Sequence, residues 1–137
     1  MARILVIDDE ELARFTMREI LEGNSHVVTE AGDGIEGVQC LEKGNFDLAI
    51  TDMVMPRQEG PRTIEAIKGL APDLKILAIS HGTPFGNADH HGPALEAGAD
   101  AFLRKPFTYQ EFIDTVEFLT SPPVLSQPRA FQARLRN

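Results

Sequence analysis

A single cysteine, Cys40, is all the sulfur chemistry of its kind in this 137-residue chain, so no internal disulfide can form. That scarcity agrees with a reducing compartment, and a packed or idle thiol is the expectation for Cys40. Tryptophan is absent, and no apolar run approaches membrane-spanning length. The N-terminal apolar run, Ile4 to Ile7, ends in two acids and is too short for a secretory signal core, so a cytoplasmic protein is expected. A basic excess is missing too: net charge is −8, which argues against broad nucleic-acid binding. The charge is uneven. Residues 121 to 137 carry three arginines and no acid, while residues 1 to 120 set 10 basic against 21 acidic residues, a net −11.

What remains is an ordinary globular composition, 42% hydrophobic and 25% charged, enough for one domain with its own core. Short apolar runs alternate with helical spacing. "RILVI" (3 to 7) reads as a strand covered on both faces. A helix over 10 to 22 follows, with Leu12, Phe15, Ile20 and Leu21 expected inside. "HVVTEA" (26 to 31) is more amphipathic and suits an edge strand. Asp33 to Glu36 has the form of a capping box opening a second helix, with Ile35, Val38 and Leu41 inward.

"FDLAIT" (46 to 51) is the third strand, and a third helix begins near Gly60-Pro61 with Ile64, Ile67 and Leu70 inward. "LKILAIS" (74 to 80) is the fourth strand. The Gly/Pro/His-rich run after Ser80 predicts a long loop, then a short helix with Pro93 in its first turn. "AFL" (101 to 103) is the fifth strand. A fifth helix opens with the capping box Thr108 to Glu111 and buries Phe112, Ile113, Val116 and Leu119. Five strands alternating with five helices predict an α/β fold with a doubly wound parallel sheet. Residues 1 to 120 form that domain, and the proline-bearing basic segment 121 to 137 reads as a flexible tail.

In such a sheet, ligands bind beyond the carboxyl ends of the strands. Asp8 and Asp9, Asp52, Ser80 and Lys105 all fall there, although they are scattered along the chain. Each alone has a plain explanation: helix capping for Asp8-Asp9, a solvated amine for Lys105, core packing for Phe102. Together they form an all-oxygen acidic pocket with an ammonium and a hydroxyl. Three close carboxylates repel, and Mg²⁺ suits them while keeping waters for a phosphate-bearing substrate. Phosphoryl transfer to a carboxylate is the chemistry this set fits.

The motifs "VIDDE" (6 to 10), "TDMVMPRQEG" (51 to 60), "AIS" (78 to 80) and "GADAFLRKPF" (98 to 107) resemble, in order and spacing, a CheY-like response-regulator receiver domain. The likeness covers about residues 1 to 120. It implies a flavodoxin-like (βα)₅ fold with strand order 2-1-3-4-5. It also implies that Asp52 is the phosphoacceptor and that Asp8, Asp9, Asp52 and the Val54 backbone carbonyl hold Mg²⁺. Ser80 and Lys105 would contact the phosphoryl group, Ser80 and Phe102 would form the switch, and Lys105-Pro106 would be a cis peptide. The implied partners are a sensor histidine kinase or histidine phosphotransfer protein and a downstream protein target, with neither nucleic acid nor membrane.

Two features depart from the family pattern. His81 stands where a small residue is usual, and a solvent-facing imidazole is expected there. The Gly/Pro-rich loop is long, and activation is expected to order residues 81 to 93. His90 and His91 are adjacent, project differently, and read as solvated loop residues rather than metal ligands. A single-domain receiver without an output domain is expected, signalling through direct protein contacts or onward phosphotransfer. The rival readings are a phosphorylation-independent interaction module and a Mg²⁺-dependent phosphatase with an aspartyl nucleophile. The second would want an acid two residues after the nucleophile, where Val54 stands.

Overall fold

The computed structural model describes residues 1–53, 60–81 and 91–121. Five parallel strands, β1 (Arg3–Ile7), β2 (Val27–Ala31), β3 (Leu48–Asp52), β4 (Lys75–His81) and β5 (Ala101–Lys105), form one sheet in the order β2-β1-β3-β4-β5. The connections are α1 (Glu11–Gly23), α2 (Gly34–Lys43), α3 (Gly60–Leu70) and α4 (His91–Ala97), and α5 (Tyr109–Thr120) closes the fold. This is the flavodoxin-like arrangement expected. The Gly/Pro-rich stretch over 82 to 90, Val54 and the tail from 122 onward fall outside the described residues.

Side chains alternate across a strand, so each central strand feeds two cores. Ile4 and Val6 of β1, with Leu48 and Ile50 of β3, pack against Met17 and Leu21 of α1 and Phe112, Ile113, Val116 and Leu119 of α5. Leu5 and Ile7, with Ala49, pack in a second cluster with Ile64 and Ile67 of α3 and Ala94 of α4. The two clusters put α1 and α5 on one face of the sheet and α2, α3 and α4 on the other. No helix among the described residues is long and apolar enough to cross a membrane.

Helix starts follow the local chemistry. Thr108 accepts from the Glu111 N–H while the Glu111 side chain accepts from the Thr108 N–H, a reciprocal capping box. At α2 only half of that device forms. Asp33 accepts from the Glu36 N–H, but Glu36 Oε1 takes the N–H of Gly32, one residue before the cap, at 2.7 Å. Pro93 lies in the first turn of α4. At the other end of the sheet, His26 Nδ1 accepts from the Ala2 N–H at 3.1 Å, and burial lowers its pKa, favouring the neutral ring.

Four helical positions expected inside are at the surface. Leu12 and Phe15 of α1 are 69% and 55% exposed, and Met17 takes the inward place instead. A helical face of about 100° does not by itself say which of two overlapping apolar stripes meets the sheet. Ile35 and Leu70 are also exposed, and Val38 and Leu41 are only half-buried. In α2 the residues that face inward are Gly34 and Gly37. A Cβ on Gly37 would run into the Ile7 side chain, and one on Gly34 into Thr63, so these glycines let α2 approach closely. Strand β5 also runs two residues further than expected and includes Arg104 and Lys105.

This packing predicts opposite signs for two Gly→Ala changes. A methyl group added at Gly69 of α3 would meet nothing within 4 Å, so Gly69→Ala should stabilise by about 0.5–1 kcal/mol through helix propensity. Gly37→Ala gains the same propensity but overpacks the fully buried Ile7, at a cost of about 1–3 kcal/mol, and should destabilise on balance. Urea unfolding of both variants decides; a stabilised Gly37→Ala would refute the packing account.

Candidate acidic site

The register levels the two central strands. Ile7 pairs with Thr51, so the next residues, Asp8 and Asp52, emerge at the same height on the carboxyl edge of the sheet. Both are nearly inaccessible, at 1% and 4% exposure, whereas Asp9 is exposed. One carboxylate oxygen from each of the three lies within 4.8 Å of the others. Such proximity is costly for like charges unless cations or hydrogen-bond donors compensate.

Part of the compensation is internal. Asp8 Oδ1 accepts from the Glu10 N–H at 2.9 Å, a local turn that starts the approach to α1. Asp8 Oδ2 faces Lys105 Nζ at 3.4 Å, with the Lys105 side chain 15% exposed. Lys105 reaches this point because β5 continues through it, and the Lys105–Pro106 bond that follows is cis. The backbone around Asp52 is held as well: the Met53 N–H donates to the Ile79 carbonyl at 2.8 Å. Three carboxylates with no sulfur or imidazole among them form a hard donor set, which fits Mg²⁺ and not a thiophilic metal.

Ser80 is 2% exposed near the end of β4, in register with Arg104. Phe102 is 8% exposed and packs in the cluster with α3 and α4, and the Arg104 guanidinium lies 5.9 Å from its ring centroid. Among the described residues no buried side-chain polar atom lacks a hydrogen-bond partner. Of the expected site residues, Val54 lies outside the described residues, as do His90 and the side chains of His81 and His91. One contact was not foreseen from the sequence: Arg14 Nη1 donates to the Asp8 backbone carbonyl at 2.6 Å. The signal available for it was an arginine about one and a half helical turns past Asp9, together with a glutamate, Glu30, in an otherwise uncharged strand.

The response regulator receiver domain model matches residues 4–117. The chain belongs to that family. It is a receiver domain of the two-component type, and such domains bind Mg²⁺ at an acidic pocket of this kind. Among solved structures, a response regulator receiver domain protein from Clostridium thermocellum is 30% identical with a TM-score of 0.77, covering 88% of this chain and 94% of that one. The chemotaxis response regulator CheY4 of Vibrio cholerae is 25% identical with a TM-score of 0.77, covering 87% and 98%. Response regulator MprA of Mycobacterium tuberculosis is 33% identical over 111 residues, 81% of this chain and 47% of that protein. The chain spans about half the length of the curated relatives it matches.

If the carboxylates of the receiver repel as their spacing demands, Asp9→Asn should raise stability in metal-free buffer, by at most about 1 kcal/mol at so exposed a position. Added Mg²⁺ should stabilise the wild type more than the variant, through ligand linkage. Urea midpoints with and without the ion measure both. An unchanged midpoint in metal-free buffer would contradict the repulsion argument.

Proposed function

We propose that this receiver takes a phosphoryl group onto Asp52 from the phosphohistidine of a partner histidine kinase or phosphotransfer protein, and signals by a change of its surface. The receiver unit in this reading is residues 1 to 120. The observation that carries it is the three-carboxylate cluster of Asp8, Asp9 and Asp52 with Lys105 beside it, at the carboxyl edge of the sheet. Asp8, Asp9, Asp52 and the Val54 carbonyl would hold Mg²⁺. When bound, the ion neutralises charge on the phosphoryl oxygens and helps orient them.

The chain's own residues do the rest. A carboxylate oxygen of Asp52 bonds to phosphorus as the P–N bond to the donor imidazole breaks, and that bond's electron pair stays with the imidazole. Burial of Asp52 at 4% exposure limits water at the acceptor, and its strand position holds it for in-line attack. The Lys105 ammonium pairs with a phosphoryl oxygen, exchanging some of its 3.4 Å contact with Asp8 for a more highly charged partner. The Ser80 hydroxyl donates to the same group, and Phe102 adjusts with it, so the added charge is read out on the β4–β5 side of the domain. Hydrolysis later returns Asp52 to its carboxylate, with water attacking phosphorus and phosphate leaving. The chemistry is confined to the protein's own aspartate.

Incubation with acetyl phosphate and Mg²⁺ should add one phosphoryl group by intact mass, and Asp52→Asn should abolish it. An unmodified wild type, or rapid multiple turnover without an adduct, would count against the proposal.

The exposed Leu12 and Phe15 stand on the first turns of the helix that begins just after Asp8-Asp9, on the approach to the site. We assign them to docking of the phosphohistidine protein. Replacing both by serine should slow phosphotransfer from a phosphorylated kinase at least about tenfold, the scale of a buried apolar anchor. Labelling by acetyl phosphate should be unaffected; equal loss in both assays would exclude a docking role.

A further inference from the structure

Arg14 holds the peptide group from which two of the three site carboxylates hang. The Asp8 carbonyl belongs to the peptide plane joining Asp8 to Asp9. A peptide unit is planar, so fixing its carbonyl constrains ψ of Asp8 and φ of Asp9 together. Those two dihedrals set the direction of one carboxylate relative to the other. The opposite side of Asp8 is already fastened, because its N–H donates to the Ala31 carbonyl at 3.1 Å. Strand β2 ends at Ala31, and the Asp8 carbonyl is taken by Arg14 Nη1 at 2.6 Å.

The guanidinium is itself anchored. Arg14 Nε donates to Glu30 Oε1 at 3.1 Å, and the side chains are only 18% and 27% exposed. Glu30 Oε2 in turn accepts from Arg18 Nη1 at 2.8 Å, and the Arg18 and Arg14 bonds hold the Glu30 carboxyl below the usual range. Glu30 sits on β2 and stays charged, so the fork of Arg14 is braced between the sheet and the β1–α1 turn. A planar fork with several donors suits this double duty, which a single-point ammonium would fill less well.

We propose that Arg14 is a positioning residue for the metal-binding pair Asp8-Asp9, acting through the Asp8–Asp9 peptide and braced by Glu30. The inference rests on the Mg²⁺ reading above. Its direction is distinctive. A positive charge near a cation site opposes binding, so electrostatics alone predicts that removing Arg14 tightens Mg²⁺. Positioning predicts the reverse, with a loss of about 10-fold or more, as for other groups that orient metal ligands.

The test is Mg²⁺ titration by calorimetry on the full chain, comparing wild type with Arg14→Ala, Arg14→Lys, Glu30→Gln and Arg18→Ala. The expected result is weakened binding in Arg14→Ala, partial recovery in Arg14→Lys, a smaller loss in Glu30→Gln, and a change under about twofold in Arg18→Ala. Arg18 shares Glu30 and carries the same charge, but its guanidinium bonds Glu22 and Glu30 rather than the Asp8 carbonyl. Unchanged or tighter binding in Arg14→Ala would overturn the proposal, as would an equal loss in Arg18→Ala. If Arg14→Ala does not fold, Arg14→Lys and Glu30→Gln carry the comparison, and two unaltered affinities overturn it. A readout independent of the ion separates this inference from its premise: the Asp9 amide of the metal-free protein should gain NMR-detected mobility in the Arg14 variant. A wild type that binds no Mg²⁺ refutes the metal reading, whereas normal binding with an unmoved Asp9 amide refutes Arg14 alone.

Discussion

The level ending of β1 and β3 is the constraint on which the rest of the receiver depends. Two apolar central strands pair in register through Ile7 and Thr51, and each then delivers an aspartate to the same edge of the sheet. Burial of the strands on both faces makes that register hard to slip, because a shift of one residue would reverse every side chain between two different cores. The hydrophobic sheet therefore imposes the carboxylate proximity and supplies the stability that offsets it.

The surroundings are arranged around that repulsion. A backbone N–H and an ammonium meet the two oxygens of Asp8, and a guanidinium holds its carbonyl. Each comes from a different element: the β1–α1 turn, the end of β5, and α1 itself. The site is thus a point where three parts of the fold are tied together. Ser80 of β4 pairs in register with Arg104 of β5, the strand that also carries Phe102 and Lys105, so the edge of the acidic pocket and the β4–β5 surface are built from neighbouring positions.

Much of this is legible in the amino-acid sequence. The five strands and five helices follow from runs such as "RILVI" and from capping signals at Asp33 and Thr108, because local periodicity and cap chemistry act within a few residues. The acidic pocket was legible for a different reason: once the sheet is parallel, every strand's carboxyl end must lie on one edge, so Asp8, Asp52, Ser80 and Lys105 had to share it. The less legible part was which apolar stripe of a helix turns inward. In α1, Leu12 and Phe15 were as apolar as Met17 and Leu21, and in α2 the inward positions were glycines, which carry no hydrophobic signal at all.

What the sequence by itself determined is the set of elements and the parallel sense of the sheet, consequences of local periodicity and of strands alternating with helices, while the strand order followed from the resemblance of the motifs. Only the tertiary structure decided how close the three carboxylates come, that Lys105 faces Asp8, and that Arg14 spans from Glu30 to the Asp8 carbonyl. Those depend on side chains from elements up to 97 residues apart meeting at distances of a few ångströms, which register and helix rotation set and no local pattern encodes.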